Sequence, residues 1–249
     1  MKKINLQQIY GYVEKHISVF HQKRLDYVKS KVDLLKILKQ KNPYLFKAKN
    51  ILTAQDLIKG FLDAFLQSQE ETLFGDFIED LAIFVCDQVY GAKKSELTGI
   101  DLEFEKDGII YVVEIKAGWN WGNSSQIRQL RINFEKAKKI LHAKTSKKVI
   151  AVNGCCFGRD NKPNKNGYLK LCGQRFWEFI SGDANLYLEI VEPIGCKAKQ
   201  KNEEFLENYA QVVNKLTLEF SQKFCDNGKI NWTKLVKYNS GFKKLKTKL

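Results

Sequence analysis

The stretch GIDLEFEKDGIIYVVEIK, residues 99–116, decides the fold of this chain. Polar and apolar residues alternate at its start, with Ile100, Leu102 and Phe104 on one face, which is typical of a half-buried strand. Asp107-Gly108 is a strong signal for a two-residue hairpin turn, and an apolar return strand follows it. The stretch therefore predicts an antiparallel hairpin at the centre of a sheet.

The turn also fixes which residues of the hairpin face each other. With the turn at residues 107–108, Asp101 lies opposite Glu114, and Lys116 shares their face two residues further on. Two carboxylates in opposed positions repel each other. A divalent cation between them would remove the conflict, and Mg²⁺ usually takes one or two carboxylates together with waters and phosphate. The sequence therefore predicts a Mg²⁺ site on this face.

These residues also carry a first resemblance to a known group of enzymes. Asp101, twelve further residues and then Glu114-Ile115-Lys116 resemble the PD-(D/E)XK nuclease motif, although Ile100 stands where proline is common. The resemblance implies that Asp101, Glu114 and the backbone carbonyl of Ile115 hold Mg²⁺, and that Lys116 positions or activates the attacking water. Two carboxylates and a lysine beside a metal ion suit phosphodiester hydrolysis. This reaction requires that the charge of the phosphate is neutralised and that a water molecule becomes nucleophilic. The alternative is an amphipathic hairpin with a solvated charged face.

The segments that follow the hairpin agree with this fold. A loop over residues 117–126 leads into an amphipathic helix, for which Ser124 or Ser125 is the expected N-cap, and residues 147–152 form a third expected strand. Helix, strand, strand, helix and strand is the order of the PD-(D/E)XK core. The sequence therefore predicts an α/β fold of mixed α+β type, an αβββαβ-like mixed sheet flanked by helices.

A longer set of segments carries a narrower resemblance. GIDLEF, EIKAGWNWGNSSQ, VIAVNGCCFGRDNKP and CGQRFWEFISG together resemble a family of type II restriction endonucleases whose typical member cuts RGGNCCY. The resemblance covers about residues 70–225. It implies a homodimer with a helical dimerisation region, Mg²⁺ dependence, cleavage of both DNA strands and a cognate DNA methyltransferase as genetic partner. The recognition sequence itself is not carried over, because specificity diverges quickly among such enzymes.

Contacts with double-stranded DNA are predicted from two loops, residues 117–126 and 153–162, from the start of the helix after the first loop, and from Arg175. Amide and hydroxyl side chains bind phosphates and base edges, and arginine commonly reads guanine. For the tryptophans the alternative is packing on the core, for the arginines it is solvent exposure, and for Arg175 it is also stacking among aromatic neighbours. The candidates are Trp119, Asn120, Asn123, Ser124, Ser125, Gln126, Arg128, Arg159, Asn161, Lys162 and Arg175.

A further carboxylate is expected from the helix before the hairpin. In the PD-(D/E)XK superfamily a glutamate on this helix often joins the metal site. The resemblance makes Glu79 the candidate, with Glu70 and Glu71 as alternatives. The other interpretation of Glu79 is a surface residue of the helix.

Periodicity and the resemblance together divide the chain into three consecutive segments. Periodicity predicts a helical N-terminal region over residues 1–69, which the resemblance makes a candidate for dimerisation. Residues 70–225 correspond to the catalytic and DNA-recognition core that the resemblance implies, with a long C-terminal helix. Residues 226–249 form a basic tail, either a phosphate-tracking arm or a frayed terminus. Within the first two segments, Thr53 is expected to cap one helix, and a second helix is expected from about Thr72 to Gly91.

Composition limits the class of protein further. The 249 residues are 44% hydrophobic and carry a net charge of +14, which allows a sizeable core and favours a polyanionic partner. There is no apolar run long enough for a membrane span and no secretory signal, so we expect a cytoplasmic protein without membrane contact. The six cysteines are expected to be free thiols, and the three histidines lack metal-binding spacing.

Two classes of function remain open on the sequence. The first is a Mg²⁺-dependent, site-specific DNA endonuclease, with a resolvase or repair nuclease of the same core as its variant. The second is a non-catalytic DNA-binding protein that kept the fold. The complete set of Asp101, Glu114 and Lys116 favours an enzyme.

Overall fold

The computed structural model describes residues 4–242. The helices are α1 (Leu6–Ser30), α2 (Leu34–Gln40), α3 (Pro43–Ala48), α4 (Ala54–Tyr90), α5 (Ser124–His142), α6 (Gln174–Ser181), α7 (Leu186–Glu189), α8 (Val191–Ile194), α9 (Ala198–Phe224) and α10 (Trp232–Ser240). The strands are β1 (Lys93–Lys94), β2 (Leu102–Lys106), β3 (Ile109–Gly118), β4 (Val149–Phe157), β5 (Leu169–Cys172), β6 (Cys225–Asp226) and β7 (Lys229–Ile230). Among these helices, none combines the length and the apolar character that crossing a bilayer requires.

The first five strands form a mixed sheet. Its order across the described residues is β1-β2-β3-β4-β5. Strand β2 runs antiparallel to β1 and β3, whereas β4 runs parallel to β3 and β5. Helix α5 makes the crossover between the parallel strands β3 and β4, as such a connection requires. The predicted mixed α+β fold with a mixed sheet is confirmed.

The hairpin has the predicted register. Leu102 pairs with Val113, and the turn lies at Asp107 and Gly108. Both turn residues have positive φ, 53° and 74°, as a type I′ turn requires. Strand β2 begins at Leu102, so Asp101 lies just before it, although its N–H still donates to the Val113 carbonyl at 2.9 Å.

Strand β4 is longer than the sequence indicated. A strand was predicted over residues 147–152 with a loop from Asn153, but the strand runs to Phe157 and the loop begins at Gly158. The prediction was wrong because Asn153 and the glycine after it are typical of loops. In the structure Asn153 and Gly154 are buried in β4, which lies between the parallel strands β3 and β5. Parallel strands are usually covered on both faces.

Helix α6 explains why a glycine occurs inside β4. A Cβ atom on Gly154 would lie 2.2 Å from a ring carbon of Phe176, so only glycine leaves room for this ring. The next residue of α6, Trp177, donates its indole N–H to the Cys156 carbonyl at 2.8 Å. These contacts fix α6 against the sheet.

Helix α5 begins with a capping box. The Asn123 side chain accepts from the backbone N–H groups of Ser125 and Gln126, and the Gln126 side chain accepts from the Asn123 N–H. The predicted N-cap at Ser124 or Ser125 is therefore wrong, since asparagine is as good a cap as serine. The apolar side of α5 and the sheet share one core cluster, formed by Ile100, Val112, Leu130, Phe134, Ala137, Val149, Ala151 and Tyr168.

Helix α4 replaces the two helices expected before the hairpin. Its cap at Thr53 is as predicted, because the Thr53 hydroxyl accepts from the Asp56 N–H at 3.1 Å. Its end at Gly91, where φ is +65°, is also as predicted. No glycine or proline interrupts residues 66–74, so the polar stretch there continues the helix where a new start at Thr72 was expected.

The chain forms two compact units, and each combines separate stretches. We call residues 4–19 and 74–196 the sheet unit and residues 20–73 and 197–242 the helical unit. The sequence suggested three consecutive segments instead, and the end of its basic tail, residues 243–249, lies outside the described residues. The helical unit has its own core, formed by Leu25, Val28, Leu34, Ile37, Leu38, Phe46, Leu57, Ile58, Phe61, Leu62, Phe65, Leu66, Phe205, Val213, Leu216, Phe220, Phe224 and Leu235.

Candidate active site

Asp101 is anchored to the central strand β3. Its side-chain Oδ2 accepts a hydrogen bond from the Ile115 backbone N–H at 2.6 Å, while its own N–H donates to the Val113 carbonyl. The carboxylate is therefore held beside the segment that carries Glu114, where the hairpin register predicted it. One oxygen of Asp101 is used in this anchor.

Glu114 and Lys116 lie two residues apart on β3 and form an ion pair. The Lys116 Nζ is 2.8 Å from the Glu114 Oε1, and the two side chains are only 33% and 12% exposed. Ile115 between them points to the opposite, buried face. The second carboxylate oxygen, Oε2 of Glu114, is buried and has no hydrogen-bond partner among residues 4–242.

Burial and neighbouring charges control the protonation of these groups. Burial raises the pKa of Glu114, and the hydrogen bond and charge of Lys116 oppose this without cancelling it. Burial alone would lower the pKa of Lys116, but the hydrogen bond and charge of Glu114 outweigh it, so this pKa is raised. The lysine is therefore a cation at neutral pH.

Glu79 on α4 interacts electrostatically with Asp101 and Lys116. Burial, and then the charge of Asp101, raise the pKa of Glu79 to about 7, although Lys94 and Lys116 act in the opposite direction. With a pKa of about 7 this carboxyl group is about half protonated at neutral pH, and an incoming cation could displace that proton.

The two alternatives to Glu79 are engaged elsewhere. Both belong to the helical unit, where Glu70 pairs with Arg24 and Glu71 accepts from the Gln67 side chain at 3.2 Å. Glu79, in contrast, belongs to the sheet unit together with the hairpin. The structure therefore favours Glu79 among the three carboxylates.

The residues present fit a hard divalent cation. Glu114 offers an unpartnered oxygen in a partly buried position, and Asp101 has a second oxygen beyond its backbone anchor. No three His, Cys, Asp or Glu side chains anywhere in residues 4–242 are gathered closely enough to form a metal cluster by themselves. A cation here would therefore take its remaining ligands from backbone, water and phosphate, as Mg²⁺ does.

Two residues that the sequence analysis missed border this site. The Trp121 ring centroid is 5.2 Å from the Lys116 Nζ, and the indole N–H of Trp121 donates to the Asn153 Oδ1 at 3.0 Å. Asn153 also donates from Nδ2 to the Glu114 carbonyl at 3.2 Å. A polar residue inside the apolar run of β4 was the available signal, but the sequence placed Asn153 in a loop.

The candidate DNA contacts in the loop before α5 and at the start of this helix divide into two groups. Asn123 and Gln126 already use their side chains in the capping box, which leaves them limited capacity for DNA. The remaining candidates of this loop and helix start are exposed: Trp119, Asn120, Ser124, Ser125 and Arg128. The Trp119 ring centroid is 6.0 Å from the Lys170 Nζ.

The candidates after β4 surround one groove. A cavity of about 480 Å³ is bordered by Arg159, Asn161 and Arg175, together with apolar residues from α6 to α8. Asp160 organises its polar side, since its side chain accepts from the Lys162 N–H at 2.9 Å and its carbonyl accepts from Arg175 at 3.5 Å. The structure thus brings three of the predicted DNA contacts together, with Lys162 beside them.

Comparison with protein families places the chain among the type II restriction endonucleases, which are nucleases and therefore hydrolases. The matching family model is described as type II restriction endonuclease EcoO109I and covers residues 7–202. Because the match spans most of the chain, the protein belongs to this family. No significant match was found among curated proteins. The resemblance to a restriction endonuclease is thereby confirmed, and its substrate class is DNA.

Proposed function

We propose that this protein is a Mg²⁺-dependent restriction endonuclease of the PD-(D/E)XK type, which hydrolyses both strands of DNA at a specific palindromic site. The observation that carries the proposal is the meeting of Asp101, Glu114 and Lys116 at one end of β3, with a buried carboxylate oxygen left unpartnered. Family membership supports DNA as the substrate.

The carboxylates would hold the cation, and the sheet fixes their positions. Asp101 and Glu114, with the Ile115 carbonyl, are the proposed direct ligands. Glu79 from α4 is proposed to reach the cation through a water molecule, because no three such side chains of residues 4–242 form a metal cluster by themselves. Bound Mg²⁺ supplies charge neutralisation at the phosphate and lowers the pKa of a water molecule. The anchor of Asp101 on the Ile115 N–H limits how far this carboxylate can turn, which keeps it oriented before substrate arrives.

Lys116 has the properties of a donor to the attacking water. Its ammonium is kept charged by Glu114, and a lysine ammonium is a compact point charge with three donors. When the cation engages Glu114, the ion pair would weaken and the ammonium could donate to water or to a phosphate oxygen. Lys116 therefore orients the nucleophile in this proposal.

Recognition is assigned to the loops around the sheet. We propose that Arg159, Asn161 and Arg175 read base edges from their shared groove, with Lys162 on the backbone. The exposed candidates of the preceding loop and of the start of α5 would contact phosphates: Trp119, Asn120, Ser124, Ser125 and Arg128. A palindromic site would match a homodimer, because both have twofold symmetry. A cognate DNA methyltransferase is then the expected genetic partner, since a site-specific nuclease endangers unprotected DNA.

Plasmid cleavage with sequencing of the fragment ends tests this proposal. The parent protein should give discrete fragments in Mg²⁺ and no cleavage in EDTA, and Glu114→Gln should reduce the rate by several orders of magnitude. Glu105→Gln is the matched control, because Glu105 lies in the same hairpin and pairs with Lys147 at 2.7 Å in a half-exposed position. This control should cut at the parental rate.

The same assay separates the competing functions. Cleavage of branched DNA alone would indicate a resolvase, and specific binding without any cleavage would indicate a non-catalytic protein. Equal rates for Glu114→Gln and the parent would refute the assignment of the metal site.

A further inference from the structure

Asn153 is a buried amide at the centre of the sheet. This residue is 1% exposed, and among the described residues only Asn153 and Ser181 are polar and fully buried. An amide in this position is costly unless its donor and acceptor are both satisfied. Here the Nδ2 donates to the Glu114 carbonyl at 3.2 Å, and the Oδ1 accepts from the Trp121 indole N–H at 3.0 Å. Asn153 therefore joins the strand that carries the site to the loop that follows it.

Trp121 extends this link to the lysine of the site. Its ring centroid lies 5.2 Å from the Lys116 Nζ, within the range of a cation–π interaction, for which tryptophan is the best aromatic partner. The Lys116 ammonium is thus bordered by the Glu114 carboxylate at 2.8 Å and by the indole ring. The orientation of the ring is set by its bond to Asn153.

We propose that Trp121 and Asn153 are positioning residues that hold the Lys116 ammonium in place for the reaction. The inference rests on the proposed function, because the position of Lys116 matters for catalysis only if this lysine acts on the water. When a cation engages Glu114, the carboxylate can no longer hold the ammonium alone. The indole face and its anchor then remain as its support.

The chemistry of lysine explains why such a support is useful. Its ammonium sits on a flexible four-carbon stem, so one ion pair leaves it considerable freedom. A displacement of about 1 Å in a catalytic group can cost up to roughly 100-fold in rate. Packing alone does not require an indole here, since Trp121 is only partly buried against the core cluster of α5 and another apolar side chain could cover it.

Single-turnover cleavage and DNA binding of three variants test the inference. Trp121→Leu should lower the rate at saturating DNA in Mg²⁺ by roughly 10- to 100-fold, whereas affinity for the same DNA in Ca²⁺ should stay close to the parental value. Trp121→Phe keeps a ring face but loses the bond to Asn153, so it should recover part of the rate. Asn153→Ala should resemble Trp121→Leu, and the double variant should show no additional loss.

The helical unit provides a matched control. Trp232 has the Lys47 Nζ at 5.3 Å from its ring centroid, nearly the geometry of Trp121, but it lies outside the sheet unit. Trp232→Leu should cut at the parental rate. A parental rate for Trp121→Leu, or an equal loss of rate and affinity, would overturn the inference, since the second result would make Trp121 a DNA contact.

A measurement without metal or DNA keeps the inference separate from the proposed function. In urea unfolding, Lys116→Met and Trp121→Leu should shift the midpoint non-additively, because each removes the same contact. If the parent protein cuts no DNA, the proposed function fails. Comparison of the two single variants with the double variant in urea still decides whether Trp121 holds the Lys116 ammonium. Additive shifts would overturn the positioning role even in an active enzyme.

Discussion

Replacing Glu79 by glutamine should stabilise the metal-free protein at neutral and alkaline pH. Burial and the charge of Asp101 raise the pKa of Glu79 to about 7 from an ordinary value of 4.5. The folded protein therefore binds more protons than the unfolded chain between these two values. The free energy of unfolding must fall as pH rises through this window, and the penalty is complete above pH 7. Glu79→Gln removes this titration.

The size of the effect follows from the two pKa values. Each pH unit between 4.5 and about 7 is worth 1.36 kcal/mol, so full burial of the charge would cost about 3 kcal/mol. Glu79 is only half-buried, and solvent screening reduces this to about 1–2 kcal/mol. Glu114, whose pKa is also raised, adds a slope of the same sign to both proteins.

Urea unfolding in EDTA at several pH values between 5 and 8 measures this difference. The variant should exceed the parent only slightly at pH 5, and the difference should grow to the stated amount at pH 8. Glu105→Gln is the control, because loss of a half-exposed ion pair should change the free energy of unfolding by less than about 1 kcal/mol. If parent and Glu79→Gln lose stability in parallel from pH 5 to pH 8, the reasoning about Glu79 is refuted.

Four further predictions can be tested, and the second has a matched control. Lys116→Ala should abolish cleavage in Mg²⁺ while specific DNA binding in Ca²⁺, measured by gel shift, persists. Gly154→Ala should lower the free energy of unfolding by about 1–3 kcal/mol, because its Cβ would lie 2.2 Å from the Phe176 ring; Gly11→Ala, in open space on α1, should raise it by roughly 0.5–1 kcal/mol. Asn123→Ala removes the cap of α5 and should cost about 1 kcal/mol in the same urea assay. DNA affinity should fall with salt by a slope of about −0.9 per neutralised phosphate, and a slope near zero would mean that the +14 charge is not used on DNA.

The hairpin could be predicted in detail because its information is local. The Asp107-Gly108 turn and the alternation before it fix the register of Leu102 against Val113 without reference to the rest of the chain. Asp101 and Glu114 follow from the same register. The relation of these residues to catalysis stays a proposal, since it depends on a bound metal.

The errors arose where tertiary packing overrides local preference. Asn153 and Gly154 are typical of loops, but the space beside Phe176 and the hydrogen bonds of a buried amide place them inside β4. The supporting role proposed for Trp121 could not be predicted from the sequence either, because its hydrogen-bond partner Asn153 lies 32 residues away along the chain. Long-range contacts of this kind leave no periodic pattern.

The interleaving of the two units has a consequence for protein synthesis. Residues 20–73 share their core with α9 and α10, which are translated only after the whole sheet unit. Translation adds about 5–20 residues per second, so on the order of ten seconds pass between the synthesis of α4 and that of its partners in α9 and α10. The helix contributes Leu57, Phe61 and Phe65 to the shared core. During this interval the nascent chain exposes an apolar helix face that the finished protein hides. We therefore expect this helix to be a binding site for chaperones during translation, and the yield of folded protein to depend on the elongation rate between residues 74 and 196.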